Sequence, residues 1–186
     1  MLRLLAVTGA TVAFAVRAGK SSAASRTVPS ALPGDVRYLA ELVPPVVLPP
    51  VVLRDGAGAA RPLAELVGQG AVLNFWATWC APCVGEMPAL ARLAEALRPR
   101  GVRVIAASTD RGGAATVRAF FARAGIAGLE VWLDPGAAAA AACGVRGVPT
   151  TLVLDRHARA RARVEGALDW SAAALQAEVQ RLARAG

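Results

Sequence analysis

The sequence predicts an α/β fold with a mixed central β-sheet, because apolar segments of strand length alternate with segments of helical periodicity. Residues 71–76 and 102–107 are mostly apolar and suit buried strands. In residues 80–97 and 117–124 the apolar side chains recur at spacings of three and four, which predicts amphipathic helices. Buried strands that are separated by helices are typical of a sheet with helices packed on its faces.

The second half of the chain predicts shorter elements and a closing hairpin. A short strand is expected at residues 131–133 and a small helix at residues 137–142. Residues 151–154 and 161–164 have strand character on either side of a turn, so they are expected to pair. The apolar spacing within residues 175–182 predicts a last helix, which would pack against the sheet.

Composition limits the class of protein. The chain has 186 residues, of which 55% are hydrophobic and 18% charged, so it can bury the core of one domain. Its formal net charge is +8, but no basic stripe with interleaved aromatic residues is present, which argues against nucleic-acid binding. Arg159, Arg161 and Arg163 alternate with alanine, which predicts a charged face on an edge strand.

The first 24 residues have the pattern of an export signal. A short positive start at Arg3 precedes an apolar run over residues 4–16, which is shorter than a comfortable membrane span. Small residues at Ser22 and Ala24 offer a cleavage site. Residues 1–24 are therefore expected to be a signal peptide or an uncleaved membrane anchor, with the protein in the periplasm, either free or anchored to the inner membrane.

Residues 25–50 have the composition of a linker. Six of the twelve prolines of the chain fall between Pro29 and Pro50. Proline fixes φ and lacks a backbone donor, so this segment is expected to be extended and to have no core of its own. The sequence thus predicts a domain over residues 51–186.

A pair of cysteines lies where the first predicted helix begins. In Trp79-Cys80-Ala81-Pro82-Cys83 the two thiols are three residues apart and can close a disulfide within one turn. The first thiol faces the positive end of the helix dipole, which lowers its pKa and favours the nucleophilic thiolate. We therefore interpret Cys80 as the attacking thiol and Cys83 as the more shielded, resolving thiol of a redox-active disulfide.

A zinc site and a purely structural disulfide are other interpretations of the cysteine pair. A zinc site needs four ligands, and Cys143 and His157 are the remaining soft candidates in the sequence. A purely structural disulfide would close so short a loop that it constrains the unfolded chain little. The redox interpretation is favoured over both, and Cys143 is expected to be a small buried thiol that fills a gap in the core.

Two longer motifs resemble a known family. Residues 72–83 (VLNFWATWCAPC), followed by Glu86-Met87-Pro88, resemble the TlpA/ResA branch of the thioredoxin superfamily, and residues 144–151 (GVRGVPTT) are similar to that family's second landmark. The resemblance extends from about Val51 to Ala185. It implies a thioredoxin fold with a strand–helix insertion and activity as an exported thiol–disulfide oxidoreductase. Members commonly reduce disulfides in apocytochrome c or in copper-site proteins of respiratory oxidase assembly.

The resemblance also assigns roles to residues that would bind substrate. It implies that Pro149 is a cis-proline facing the active-site disulfide and that the backbone of Val148 pairs with the substrate chain. Trp79 is expected to cover Cys80. In the branch for cytochrome c maturation an acidic residue usually follows the cis-proline, whereas this chain has Thr150 there, which favours the broader TlpA-like group.

An acidic residue near the cysteines is the candidate proton acceptor. Thioredoxin has a buried aspartate six residues before its first cysteine, where this chain has Asn74, an amide that does not titrate. Glu86 lies one helical turn after Cys83 and so on the same face. If it is buried, its pKa would be raised and it could assist deprotonation of Cys83; otherwise it would be a solvated helical glutamate.

Taken with the resemblance, these residues predict an exported reductant of protein disulfides that requires no cofactor or metal. A membrane thiol reductase would recharge it, since the compartment is kept oxidising, and the protein is expected to be a monomer with a possible N-terminal membrane tether. One alternative is a disulfide oxidant or isomerase, which the lack of a histidine between the cysteines disfavours. Another is a copper-binding chaperone that uses the cysteine pair with Met87 or His157.

Overall fold

The centre of the structure is a mixed β-sheet with helices on both faces, in a computed structural model that describes residues 39–186. Within these residues the sheet has eight strands in the order β1-β8-β7-β4-β5-β6-β2-β3. The β4–β5 and β5–β6 pairs are parallel and the others antiparallel. The strands are β1 (Ala40–Val47), β2 (Val52–Asp55), β3 (Ala60–Pro62), β4 (Gly70–Trp76), β5 (Arg103–Ser108), β6 (Trp132–Leu133), β7 (Thr150–Asp155) and β8 (Arg159–Glu165).

Five α-helices within the described residues cover the sheet. They are α1 (Leu63–Leu66), α2 (Ala81–Leu97), α3 (Gly113–Ala124), α4 (Ala138–Ala142) and α5 (Ala173–Ala183). The apolar residues of α2, α3 and α5 form the core on one face of the sheet, and those of α1 and α4 belong to the core on the other. The predicted α/β fold is confirmed, and α3 with β6 forms the inserted helix and strand between β5 and α4. No helix among residues 39–186 is long and apolar enough to cross a membrane.

Strand β4 is the central element that leads to the cysteines. Every residue of β4 is buried, as expected for a strand with helices on both faces. Alternation along the strand sends Phe75 into the core on one side and Trp76 into the core on the other, where Trp76 stacks on Phe121 of α3 at a centroid distance of 5.8 Å. The strand therefore places the start of α2 on a rigid, fully packed base.

The start of α2 is determined by its first residues. Cys80 is the N-cap in an extended conformation, and the backbone N–H of Cys83 donates to Cys80 Sγ over 3.3 Å. Pro82 lies in the first turn, where its missing N–H has no intrahelical partner to lose. The helix buries Met87, Leu90 and Leu93, the face that the periodicity predicts.

The predicted linker is wrong over part of its length, because residues 40–47 form strand β1, which pairs with β8. The pairing shifts register between Glu41 and Val46, and Pro44 and Pro45 lie inside this irregularity. Edge strands and bulges are the positions where a sheet tolerates proline, so a proline-rich composition did not exclude a strand here. The folded domain therefore includes residues from Ala40 onward and does not begin at Val51. The predicted signal segment 1–24 and the linker residues up to 38 lie outside the described residues.

The same strand corrects the prediction for the alternating arginines. Strand β8 is not an edge strand, since β1 covers its outer side. Arg159 forms an ion pair with the buried Asp155 over 2.8 Å. Arg163 donates to the carbonyl oxygens of Cys143 and Gly144, just after α4. These two arginines tie β8 to the end of β7 and to the residues after α4.

We expect a chain that begins at Val51 to be less stable than one that begins at Leu39. Removing β1 exposes the hydrogen-bonding edge of β8 and breaks the ion pair between Glu41 and Arg181. Because several backbone hydrogen bonds are lost and each contributes about 1 kcal/mol net, we expect the free energy of unfolding to fall by about 2 kcal/mol or more. Urea denaturation of the two chains measures this difference, and equal free energies of unfolding would show that β1 is dispensable.

Candidate active site

Cys80 and Cys83 are joined in a disulfide at the junction of β4 and α2. Their Cα atoms are 5.2 Å apart. Cys80 is 6% exposed and Cys83 is fully buried, so an incoming group reaches the first sulfur before the second. The roles of Cys80 as the attacking thiol and Cys83 as the resolving thiol stay predictions, which this difference in exposure supports.

The loop before β7 lies against the disulfide. The Val148–Pro149 peptide bond is cis, as the resemblance implied. The carbonyl oxygen of Val148 is 3.6 Å from Cys80 Sγ, so the residue before the proline contacts the outer sulfur. The Thr150 hydroxyl donates to the carbonyl oxygen of Gly147 over 2.7 Å and holds the loop in shape. The cysteine pair and the predicted substrate-binding residues Val148 and Pro149 are therefore brought together.

Glu86 is buried, which removes the alternative of a solvated helical residue. It is 4% exposed and lies one turn after Cys83 on α2. Oε1 accepts a hydrogen bond from Asn74 Nδ2 over 2.9 Å. Oε2 accepts from the backbone N–H of Leu168 over 3.1 Å and from Trp170 Nε1 over 3.0 Å. The carboxylate thus joins α2 to β4 and to the loop that follows β8.

Burial and hydrogen bonding act on this carboxylate in opposite directions. Desolvation raises the pKa of Glu86 and is the larger effect. The donors Trp170, Leu168 and Asn74 stabilise the charged form and oppose that rise. A buried carboxyl group with a raised pKa, on the same helix face as a cysteine, is suited to accept and return a proton.

Asn74, on β4, connects Glu86 to strand β7. Its side-chain nitrogen donates to Glu86 and also to Thr151 Oγ1, over 2.9 Å each, while its Oδ1 has no hydrogen-bond partner among the described residues. Thr151 lies two residues after the cis-proline. The amide that replaces thioredoxin's aspartate is therefore a link between Glu86 and β7.

Sequence reasoning missed two residues that contact the site. Trp170, to which no role was assigned, is fully buried, and its indole N–H donates to Glu86. Asp110, to which no role was assigned, accepts two hydrogen bonds from Thr78. No local motif indicates either contact, because both join segments that are distant in the sequence.

Trp79 is the most solvent-exposed aromatic residue near the disulfide. Its exposed fraction is 71%, while Trp76 is fully buried in the core. An indole that is mostly exposed beside a nearly buried sulfur offers an apolar contact for an incoming chain. The predicted role of Trp79 in substrate binding therefore stays a prediction that the exposure supports.

Cys143 lies apart from this site. It belongs to the core on the face of the sheet opposite α2. Burial, together with the nearby charge of Asp134, raises the pKa of its thiol to about 11, against a lowering effect of Arg163. The thiol is thus protonated and buried at neutral pH, in agreement with the predicted space-filling role.

The possible copper ligands are not gathered at the disulfide. His157 lies in the turn after β7, whereas Pro149 directly precedes that strand, so the six-residue β7 separates them by about 20 Å. Met87 is fully buried within the core beside α2. Among residues 39–186 no group of three or more His, Cys, Asp or Glu side chains is arranged to hold a metal ion.

The disulfide lies at a helix N-terminus and faces a cis-proline, on a mixed sheet that carries an inserted helix and strand. These features define a thioredoxin-fold protein with the site of a thiol–disulfide oxidoreductase. The AhpC/TSA family profile matches residues 43–163, and the chain belongs to that family.

Named relatives agree with this class. The thiol-disulfide oxidoreductase ResA of Halalkalibacterium halodurans is 37% identical over 106 residues, which are 57% of this chain and 59% of that protein. The ResA of Bacillus thuringiensis strain Al Hakam is 33% identical over 118 residues, 63% of this chain and 67% of its own length. The chain thus spans about three fifths to two thirds of the length of these relatives.

Solved structures show the same fold. A Chlorobium tepidum protein assigned to the DsbE thiol:disulfide interchange proteins has a TM-score of 0.62 and 26% identity, covering 80% of this chain and all of that one. A secreted thiol-disulfide isomerase from Corynebacterium glutamicum has a TM-score of 0.62 at 23% identity, with 81% of this chain and 91% of that chain covered. The second likeness concerns the fold alone.

We expect Trp170→Phe to raise the pKa of Glu86 further. The substitution removes one donor to the carboxylate while keeping a large apolar ring in the core, so the charged form loses stabilisation. Carboxyl ¹³C NMR of Glu86 across a pH series measures the titration. Trp132→Phe is the matched control, because its indole donates to the exposed Glu130. An unshifted Glu86 titration in Trp170→Phe would show that the indole does not stabilise the charge.

Proposed function

We propose that the protein is an exported reductant of protein disulfides, which transfers two electrons from the Cys80/Cys83 dithiol. The observation that carries the proposal is the buried Glu86, one turn along α2 from Cys83, in a site where the outer sulfur of the disulfide faces a cis-proline loop. The site thus offers a reachable nucleophile, a shielded second thiol and a proton acceptor.

The first step is attack by the Cys80 thiolate on one sulfur of a substrate disulfide. A new sulfur–sulfur bond forms to Cys80, the substrate disulfide breaks, and its other sulfur leaves as a thiolate that takes up a proton. The N-terminal position of Cys80 favours its thiolate, since its Sγ accepts the N–H of Cys83 at the positive end of α2.

The second step releases the substrate. Cys83 gives its proton to Glu86 and attacks Cys80 Sγ, so the mixed disulfide breaks and the second substrate sulfur leaves as a thiolate. The Cys80–Cys83 disulfide forms, and the substrate has gained two electrons and, once protonated, two protons. A raised pKa suits Glu86 to this exchange near neutral pH, because a carboxyl group of ordinary pKa is too weak a base.

The direction of electron transfer depends on whether the surrounding residues stabilise the reduced or the oxidised form of the Cys80/Cys83 pair. A strong oxidant has an unusually stable reduced form, as in DsbA. Here the residues between the cysteines are Ala81 and Pro82, which carry no positive charge to stabilise a thiolate. The acidic Glu86 on the helix face of Cys83 disfavours a second negative charge when it is ionised. Both features favour reduction of substrates over the alternative of an oxidant or isomerase.

The substrate would dock as an extended chain across the cis-proline loop. The backbone of Val148, beside the outer sulfur, would pair with that chain, and the exposed Trp79 would contact its apolar side chains. The TlpA/ResA resemblance supports apocytochrome c or copper-site assembly proteins as substrates. It also supports a periplasmic location, a membrane thiol reductase as electron donor and an N-terminal signal or tether over residues 1–24.

Replacing Cys83 by serine is expected to trap substrate proteins as mixed disulfides through Cys80, because the resolving thiol is absent. Replacing Cys80 by serine should trap none, since Cys83 is fully buried. Non-reducing gel electrophoresis of cells expressing each variant, followed by mass spectrometry of the adducts, measures the trapping. Cys143→Ser in both variants excludes the third thiol, and equal trapping by Cys80→Ser would reverse the assigned roles.

Glu86→Gln is expected to slow the resolving step by about a hundredfold near neutral pH, the usual contribution of a positioned general base. The defect should shrink at high pH, where Cys83 loses its proton to hydroxide instead. Stopped-flow measurement of substrate release from a preformed mixed disulfide on Cys80 follows this step.

The control for this variant is Glu95→Gln, an exposed position on the same helix. It should leave the release rate unchanged. If Glu86→Gln also releases substrate at the parent rate across the pH range, Glu86 is not the proton acceptor.

A further inference from the structure

We propose that Asp110 is a positioning residue for the reaction, because its carboxylate fixes the turn that presents Cys80 and Trp79 to substrate. Asp110 lies just beyond β5, in the loop before α3, and is 7% exposed. It is not part of the cysteine motif or of the cis-proline loop, and the proton transfer through Glu86 does not use it.

The Asp110 carboxylate holds the turn before Cys80 through two groups of Thr78, its backbone N–H and its hydroxyl. Asp110 Oδ2 accepts from the backbone N–H of Thr78 over 2.9 Å, and Oδ1 accepts from the Thr78 hydroxyl over 2.7 Å. The Ser108 hydroxyl donates to Oδ2 over 2.7 Å and fixes the carboxylate from the other side. Bidentate acceptance from one residue fixes the orientation of Thr78 as well as its distance.

A second contact of the same loop holds the start of the turn. The backbone N–H of Thr109 donates to the carbonyl oxygen of Trp76 over 2.9 Å. The turn itself closes where the N–H of Cys80 donates to the carbonyl oxygen of Ala77 over 3.2 Å. The segment from Trp76 to Cys80 is thus held at its first residue and at its middle by residues 108–110.

This arrangement determines where the attacking sulfur lies. Cys80 is both the end of the turn and the N-cap of α2, so a rotation of the turn moves Sγ away from the N–H of Cys83 and from the Val148 carbonyl oxygen. Exchange requires the attacking sulfur to approach the substrate disulfide in a defined direction. Loss of the Asp110 contacts is therefore expected to slow attack by Cys80 even in protein that stays folded.

The test compares three variants in the full-length chain with Cys83→Ser and Cys143→Ser, which leaves Cys80 as the single thiol. Asp110→Ala removes all three contacts of the carboxylate. Asp110→Asn keeps one carbonyl oxygen for the N–H of Thr78, and its amide can donate to the threonine hydroxyl, which then accepts. Asp134→Ala is the matched control, since that buried carboxylate accepts the N–H groups of Ala139 and Ala140 beside α4.

The measurement is the rate constant for reaction of Cys80 with oxidised glutathione as a function of pH, corrected for the folded fraction by circular dichroism. We expect the limiting rate at high pH to fall about tenfold in Asp110→Ala, the equivalent of one charge-assisted hydrogen bond. Asp110→Asn should recover most of that rate. Asp134→Ala should lower stability and leave the rate and its pH profile unchanged.

The proposal is overturned if Asp110→Ala reacts at the parent rate, if Asp110→Asn is as slow as the alanine variant, or if Asp134→Ala is slowed equally. Should Asp110→Ala not fold, Thr78→Val removes the hydroxyl contact alone and is expected to lower the limiting rate by a smaller factor. An unchanged rate in Thr78→Val would then contradict the proposal. These outcomes do not depend on whether the protein reduces or oxidises its substrates.

Discussion

The buried carboxyl group of Glu86 is the constraint on which the site depends. Burying a carboxylate away from water costs free energy unless hydrogen-bond donors surround it. This carboxylate accepts hydrogen bonds from Asn74, Leu168 and Trp170. These residues belong to β4 and to the loop before α5, so satisfying the acid ties α2 to two other parts of the fold. The same contacts leave the group with a raised pKa, poised to exchange a proton.

Loops at the ends of three strands hold the segment that carries the sulfur atoms. Parallel β4 and β5 end together, so the turn before Cys80 meets the Asp110 loop. Antiparallel β7 begins at the same edge and brings the cis-proline against Cys80. Each of these loops is short and starts or ends on a buried strand, which gives the thiol a defined position.

Sequence alone predicted the elements with strong periodicity and the chemistry of the cysteine motif. Strand β1 was missed because Pro44 and Pro45 resemble a linker, and only the pairing with β8 shows that the ladder shifts around them. The burial of Glu86 was left open, since Leu168 and Trp170 lie more than eighty residues further along the chain. These contacts between residues distant in the sequence depend on how α5 and the loop before it pack, and a local sequence pattern does not indicate that packing.

The reduction potential of the Cys80/Cys83 pair shows directly whether the pair acts as a reductant. The measurement is equilibration of the chain carrying Cys143→Ala against glutathione or dithiothreitol buffers at pH 7, with the thiols trapped and counted. We predict a value near that of thioredoxin, about −270 mV. A value near that of DsbA, about −120 mV, would make the protein an oxidant of its substrates and would overturn its assignment as a reductant.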